Sequence, residues 1–179
     1  PALFRQRAGR LLLFIGEASR TDFREYNVGL DPHAFVGLMR SGLQLCWVPC
    51  FDGGAWRNDG HASFWQATHA SLLARAPPEL VQFFIYALEK ETADPLAFLR
   101  RPVEPARRDA LFAQTRNLWC AAVFEGLRAE GAPSGAAFTF EPVEVTVSDD
   151  AVVRYGGGPD ARRILRFRVR DRDRYAPEM

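Results

Sequence analysis

Hydrophobic positions along the first third of the chain fall into two unbroken runs separated by one segment of helical period. Leu11, Leu12, Leu13, Phe14 and Ile15 form a continuous apolar stretch closed by Gly16, the pattern of a strand buried on both faces in a parallel sheet. Asp31 then stands before Pro32, and Phe35, Leu38 and Met39 recur at helical spacing until Gly42. This predicts a capped helix with proline in its first turn and glycine at its stop. A second buried strand follows from Leu43 to Cys50. Strand, helix, strand with short connections is a βαβ unit whose crossover is right-handed. Such sheets hold ligands at the carboxyl ends of their strands, here Gly16 to Asn27 and Phe51 to Gly60.

Helical patterns fill the middle, from Ala62 to Leu73 and from Glu79 to Glu89, with Pro77 and Pro78 between them. Asp94 and Pro95 repeat the cap-then-proline signature ahead of a short helix, Leu96 to Leu99. Pro102 and Pro105 interrupt, and a further helix is predicted from Arg107 to Ala129, with a break near Thr115 as an alternative. Gly131, Pro133, Ser134 and Gly135 read as a loop. The remainder favours strands: Phe138 to Val147, Val152 to Tyr155 and Ile164 to Val169, with Gly156, Gly157 and Gly158 as the hairpin turn between the last two. No internal repeat is visible. The expected architecture is α/β: a partial Rossmann-like parallel sheet with flanking helices and a C-terminal β-hairpin, in a single domain over residues 1–179.

The 179 residues are 47% hydrophobic and 25% charged, an ordinary globular mixture. The formal net charge of +1 gives no electrostatic reason to expect nucleic acid or a membrane surface as partner. The arginines between Arg162 and Arg174 alternate with Ile164, Leu165, Phe167 and Val169 and read as a solvated strand face. Three cysteines, Cys46, Cys50 and Cys120, leave one unpaired under any disulfide scheme, which fits a reducing compartment. Cys46 and Cys50 would lie about 13 Å apart on a straight strand, too far for a bridge. All three read as core residues. No apolar run approaches the roughly 20 residues that span a bilayer, so the chain reads as cytoplasmic. Beginning at Pro1 and entering a strand within ten or so residues, it also reads as a fragment.

Candidate chemistry concentrates at Glu25, Tyr26 and Asn27. In extended backbone, alternate side chains point the same way, so Glu25 and Asn27 would both face a ligand while Tyr26 packs. A carboxylate and an amide so placed suit neighbouring hydroxyls of a polyol. Trp56, in the Asp- and Gly-rich Phe51 to Gly60 segment, is the tryptophan to test for contact with a planar ring; the others read as core. His61 and His69 stand too far apart on one predicted helix to share a metal ion, although His61, beside a ligand-side loop, could act as an acid.

The run Glu25, Tyr26, Asn27, then Asp31, Pro32, His33, Ala34, the apolar helix, Ser41, Gly42, Leu43 and the strand through Val48 and Pro49 resembles the middle of the inosine-uridine nucleoside N-ribohydrolases. Members of that family carry Glu-Phe-Asn, Asp-Pro-Glu-Ala, a helix, Ser-Gly-Leu-Pro and a strand ending in Val-Pro. The likeness covers about 40 residues. It implies a nucleoside hydrolase-like fold that hydrolyses the N-glycosidic bond of ribonucleosides, with a calcium ion holding the ribose and the attacking water. By the same resemblance Glu25 and Asn27 would contact ribose hydroxyls and Asp94 would ligate calcium, an ion that takes hard oxygen ligands and acidifies bound water. The family's N-terminal aspartate cluster has no counterpart before Glu17, its proton-donating histidine corresponds to Ala93, and an expected asparagine to Ser19. The chain is therefore expected to hold the ribose-binding portion, completed by an Asp-rich N-terminal segment or a partner chain; the partners expected are a small-molecule ribonucleoside or sugar and an N-terminal partner segment or a second copy in a homo-oligomer. The alternative is a catalytically inactive sugar- or nucleoside-binding or scaffold relative.

Overall fold

The computed structural model describes residues 2–19, 23–121 and 137–178. In chain order its elements are α1 (Ala2–Arg7), β1 (Leu11–Phe14), α2 (Tyr26–Leu30), α3 (Pro32–Met39) and β2 (Leu45–Val48). Then come β3 (Trp65–Thr68), α4 (His69–Leu73), α5 (Pro78–Leu88), α6 (Pro95–Leu99), α7 (Pro105–Phe112) and β4 (Thr115–Leu118). The chain closes with β5 (Phe138–Val147), β6 (Val153–Tyr155), β7 (Arg162–Val169) and α8 (Arg172–Glu178). Two compact units result, one of Pro1–Trp65 with Leu118–Met179, the other Gln66–Asn117. No helix among the described residues is long and apolar enough to cross a membrane.

The first unit is built on a mixed five-stranded sheet in the order β1-β2-β7-β5-β6. β1 runs parallel to β2, and β2 to β7. β5 runs antiparallel to both β7 and β6. The expected parallel sheet is thus confined to three strands. The C-terminal hairpin also differs from expectation: β6 folds back on the end of β5, while β7 pairs along the other edge of β5 from Phe138↔Val169 to Val145↔Arg162. Residues 156–158 therefore carry the chain across β5 instead of closing a turn between paired neighbours. β5 wins this competition because its ten residues offer both ladders a long partner, whereas β6 has three.

Alternation along the strands separates two cores. On one face Trp47, Val145 and Ile164 meet Val28 of α2 and Phe35, Val36 and Met39 of α3. On the other, Val48, Phe138 and Phe167 meet Tyr175 of α8, whose hydroxyl donates to the Ser63 carbonyl at 2.9 Å. β2 is buried on both sides, as its apolar run requires. The Asp31 carboxylate caps α3 by accepting from Ala34 N–H at 2.9 Å. Arg166, within the arginine-rich strand, is not solvated: only 13% of its side chain is exposed, and it pairs with Glu141.

The second unit is mostly helical, with Leu73, Val81, Ile85, Phe98 and Leu111 as its core. Its first helix is shorter than the apolar pattern predicts. Residues 65–68 are strand, with Trp65 and Ala67 half-buried and Gln66 and Thr68 exposed, and α4 begins only where the Thr68 hydroxyl accepts from Ser71 N–H. The predicted helix from Arg107 stops at Phe112, and the next residues form β4, which pairs with β3. The rest of that helix, 122–129, and the predicted loop at 131–135 lie outside the described residues.

His69 is 1% exposed, its ring 5.7 Å from that of Phe84. Burial holds its pKa below the ordinary 6.5, outweighing the Leu111 carbonyl that favours the charged form. Burying a neutral imidazole makes stability rise with pH, because the unfolded chain binds the proton more readily. Stability of this unit is therefore expected to be complete above about pH 6.5 and to fall as pH drops from there through the lowered folded value. Urea unfolding at pH 5 to 8 should show this slope, and His69→Leu should flatten it.

Candidate functional site

At the carboxyl ends of β1 and β2 the chain makes two loops that face one another. After β1, Gly16 adopts φ +91, and Glu25 becomes the N-cap of α2. One oxygen of the Glu25 carboxylate accepts from Gly16 N–H at 3.1 Å, the other from Asn27 N–H at 2.9 Å and Asn27 Nδ2 at 2.8 Å. The backbone at Glu25 is extended but helical from Tyr26 onward, which overturns the alternation expected for this triplet. Glu25 is buried at 4% exposure, and Tyr26, expected to pack, is 74% exposed. The two polar residues come together as a bonded pair, not as parallel grips.

Residues 50–64 form the facing loop, held by three side chains. The buried Glu17 carboxylate accepts from Gly53 N–H at 2.9 Å and Gly54 N–H at 3.1 Å. Asp52, 3% exposed, accepts from His61 N–H at 2.8 Å. Asn58 accepts from the N–H groups of Gly60 and Ala62 and donates to the Phe64 carbonyl. Gly53 and Gly54 both have positive φ, and so does Trp56 at +61, a left-handed conformation that a bulky side chain avoids. Trp56 is 57% exposed. It stands edge-on to Phe51 at 5.4 Å and to Phe64 at 6.0 Å, and 5.8 Å from Trp119.

Glu25, Asn27, Phe51, Trp56, Trp119 and Cys120 share a cavity of about 580 Å3. The size and aromatic lining suit a small organic ligand. Cys50 lines it too; burial, with added repulsion from Glu25 and Cys120, pushes its thiol up to about 12. A thiol raised in this way is disfavoured as a thiolate nucleophile. Cys46 and Cys50 are buried as expected, but Cys120 is exposed at the cavity and not part of a core.

Asp94 lies in the second unit, where its Oδ1 caps α6 by accepting from Ala97 N–H at 2.8 Å. Among the described residues no three His, Cys, Asp or Glu side chains gather to hold a metal. Calcium takes six to eight oxygens, whereas both Glu25 oxygens already accept N–H groups and Asp94 stands alone. The described residues do not by themselves supply a site for that ion. His61, considered above as an acid, has Nδ1 at 3.1 Å from Asp52 and Nε2 at 3.4 Å from Glu141. Burial tends to raise the Glu141 pKa, but hydrogen bonds from Arg166 and Arg168 prevail and hold it below its ordinary value.

Glu17, Asp52 and Asn58 were not among the residues singled out in the sequence. A signal for the first two was present: each carboxylate lies three or four residues beyond the carboxyl end of a parallel strand, in the region where open α/β sheets bind ligands. No family model, curated protein or solved structure matches the chain.

Proposed function

We propose that this chain binds ribonucleosides, with the base against Trp56 and the sugar near Asn27, as the ligand-binding portion of a nucleoside hydrolase-like protein. The observation that carries this reading is Trp56, held half-exposed in a strained backbone conformation in the same cavity as the Glu25–Asn27 pair. Left-handed non-glycine residues cost about 1 kcal/mol or more and persist where the surroundings enforce them, often at ligand sites. Here Glu17, Asp52 and Asn58 do the enforcing. Stacking of a base on an aromatic ring contributes roughly 1 to 3 kcal/mol, enough to justify that strain. The amide of Asn27, oriented by Glu25, offers a sugar hydroxyl one hydrogen bond, and Tyr26 flanks it at the rim.

Titration of tryptophan fluorescence with inosine, uridine, free ribose and free base tests this. Both nucleosides are expected to bind, each more tightly than ribose or the base alone. Trp56→Gly, which accepts φ +61 without strain, should keep the fold and weaken binding by about tenfold, the lower range of a lost stacking contact. Unchanged affinity in that variant would sink the proposal.

Hydrolysis of the N-glycosidic bond is the second reading, supported by the resemblance of residues 25–49 to the nucleoside hydrolases. It requires calcium ligands and a base beyond those that the described residues bring together. Release of free base from inosine in the presence of calcium would establish it. Binding without turnover would favour the inactive relative.

A further inference from the structure

We propose that His61 is a positioning residue that couples the protonation state of its imidazole to the placement of Trp56, so that ligand grip strengthens on acidification. The inference rests on the ligand reading above for its last step only. His61 lies between two carboxylates from different elements: Asp52 in its own loop, at 3.1 Å from Nδ1, and Glu141 on β5, at 3.4 Å from Nε2. A neutral imidazole has one N–H and can donate to only one of them; an imidazolium donates to both. Asp52 is the more deeply buried and also accepts the His61 backbone N–H, so the neutral ring keeps its proton on Nδ1 and presents a lone pair to the Glu141 oxygen. That contact is then repulsive, and the side-chain tie between loop and sheet opens. With both nitrogens protonated the tie closes.

The other groups around this ring do not replace the tie. Arg166 and Arg168 of β7 are engaged with Glu141. Tyr155 of β6 lies under the Arg166 guanidinium, whose centre is 4.6 Å from the ring centroid, and burial keeps its hydroxyl protonated. Arg172 at the start of α8 donates to the Asp59 carbonyl, and Asp59 itself pairs with Arg57. Glu17 is committed to Gly53 and Gly54.

The path to Trp56 is short. Asp52 is the hub of the loop: its N–H donates to the Arg57 carbonyl at 3.0 Å, and its carbonyl accepts from Asp59 N–H at 2.9 Å. Trp56 is the residue before Arg57 and is itself strained, so a small shift of Asp52 is transmitted to the ring.

The test uses protein labelled with 5-fluorotryptophan, whose four fluorine signals are assigned by single Trp→Phe replacements. In the wild type without ligand, the Trp56 signal should move as the pH is lowered from 8 to 5, while that of the core residue Trp47 stays. His61→Gln, which retains a donor for Asp52, should abolish the movement. Glu141→Gln, which removes the charge facing Nε2, should reduce it. A Trp56 signal that is static in the wild type, or that titrates equally in both variants, overturns the coupling. Inosine affinity should be about fivefold higher at pH 5.5 than at pH 8 in the wild type, the scale of one partly exposed ion pair, and flat in His61→Gln. Failure of inosine to bind at any pH would defeat the ligand reading while leaving the fluorine result to judge the coupling by itself.

Discussion

Glu25→Ala is expected to lower the unfolding free energy by about 3 kcal/mol in the absence of any ligand. Loss of an N-cap costs roughly 1 kcal/mol, and the substitution also orphans the buried Gly16 N–H, at a further cost of roughly 1 to 3 kcal/mol. One donor stands just after β1 and the other in the first turn of α2. Glu25→Gln should lose about half as much, since an amide oxygen can still accept at one position. Urea unfolding monitored by circular dichroism reads these values directly. A carboxylate serving only as a sugar grip would show the opposite pattern: unaltered stability and weakened binding. An unaltered unfolding midpoint in Glu25→Ala would therefore refute the structural role and restore Glu25 as a free ligand-binding group.

Much of the fold was legible because its signals are local. Asp31 before Pro32 and Asp94 before Pro95 read as caps and are caps, each accepting the N–H three residues on. The apolar runs through Leu13 and Trp47 read as buried strands and are parallel neighbours, Leu13 opposite Trp47, but only the second is buried on both faces; β1 stands at the sheet edge with Leu13 alone fully buried. What escaped depends on partners distant in the chain. β3 is four residues long, too short for its alternation to outweigh the helical pattern around it, and it exists because β4, some fifty residues later, pairs with it. The order of β6 and β7 around β5 likewise follows from the length of β5 and not from any turn residue.

The site was legible in its parts and not in its bonding. Trp56 could be chosen for its neighbours, Asp and Gly, and it does line the cavity with Asn27. Its strained backbone depends on Glu17, Asp52 and Asn58, and acceptors of backbone N–H groups leave no periodic trace. Alternation of side chains after Glu25 would require extended backbone. One helical turn beginning at Tyr26 was enough to bring Asn27 back onto Glu25, because the side chain of an N-cap bends toward the N–H groups that follow it.

Trp47→Ala is expected to cost about 5 kcal/mol, comparable with the whole stability of many small domains. Replacing a buried tryptophan by alanine costs roughly 3 to 5 kcal/mol through lost contacts and the cavity left behind. Trp47 is fully buried, and its Nε1 also donates to the Ile15 carbonyl at 2.7 Å, an acceptor left unpaired at roughly 1 kcal/mol more. Trp47→Phe fills most of the volume but lacks the donor, and should cost about 2 kcal/mol. The effect reaches the cavity through a single joint. Trp47 holds Ile15; the next residue, Gly16, donates its N–H to Glu25 and accepts Cys50 N–H at 2.8 Å. Gly16 thus ties both ligand-side loops together over the tryptophan, which lies 3.6 Å from where a Gly16 Cβ would stand. Trp47→Phe and Glu25→Gln disturb that joint from its two sides, so their costs should not add: residues sharing a network couple by about 0.5 kcal/mol or more. Strict additivity in the double variant, measured by urea unfolding, would mean that the two walls of the cavity are held independently.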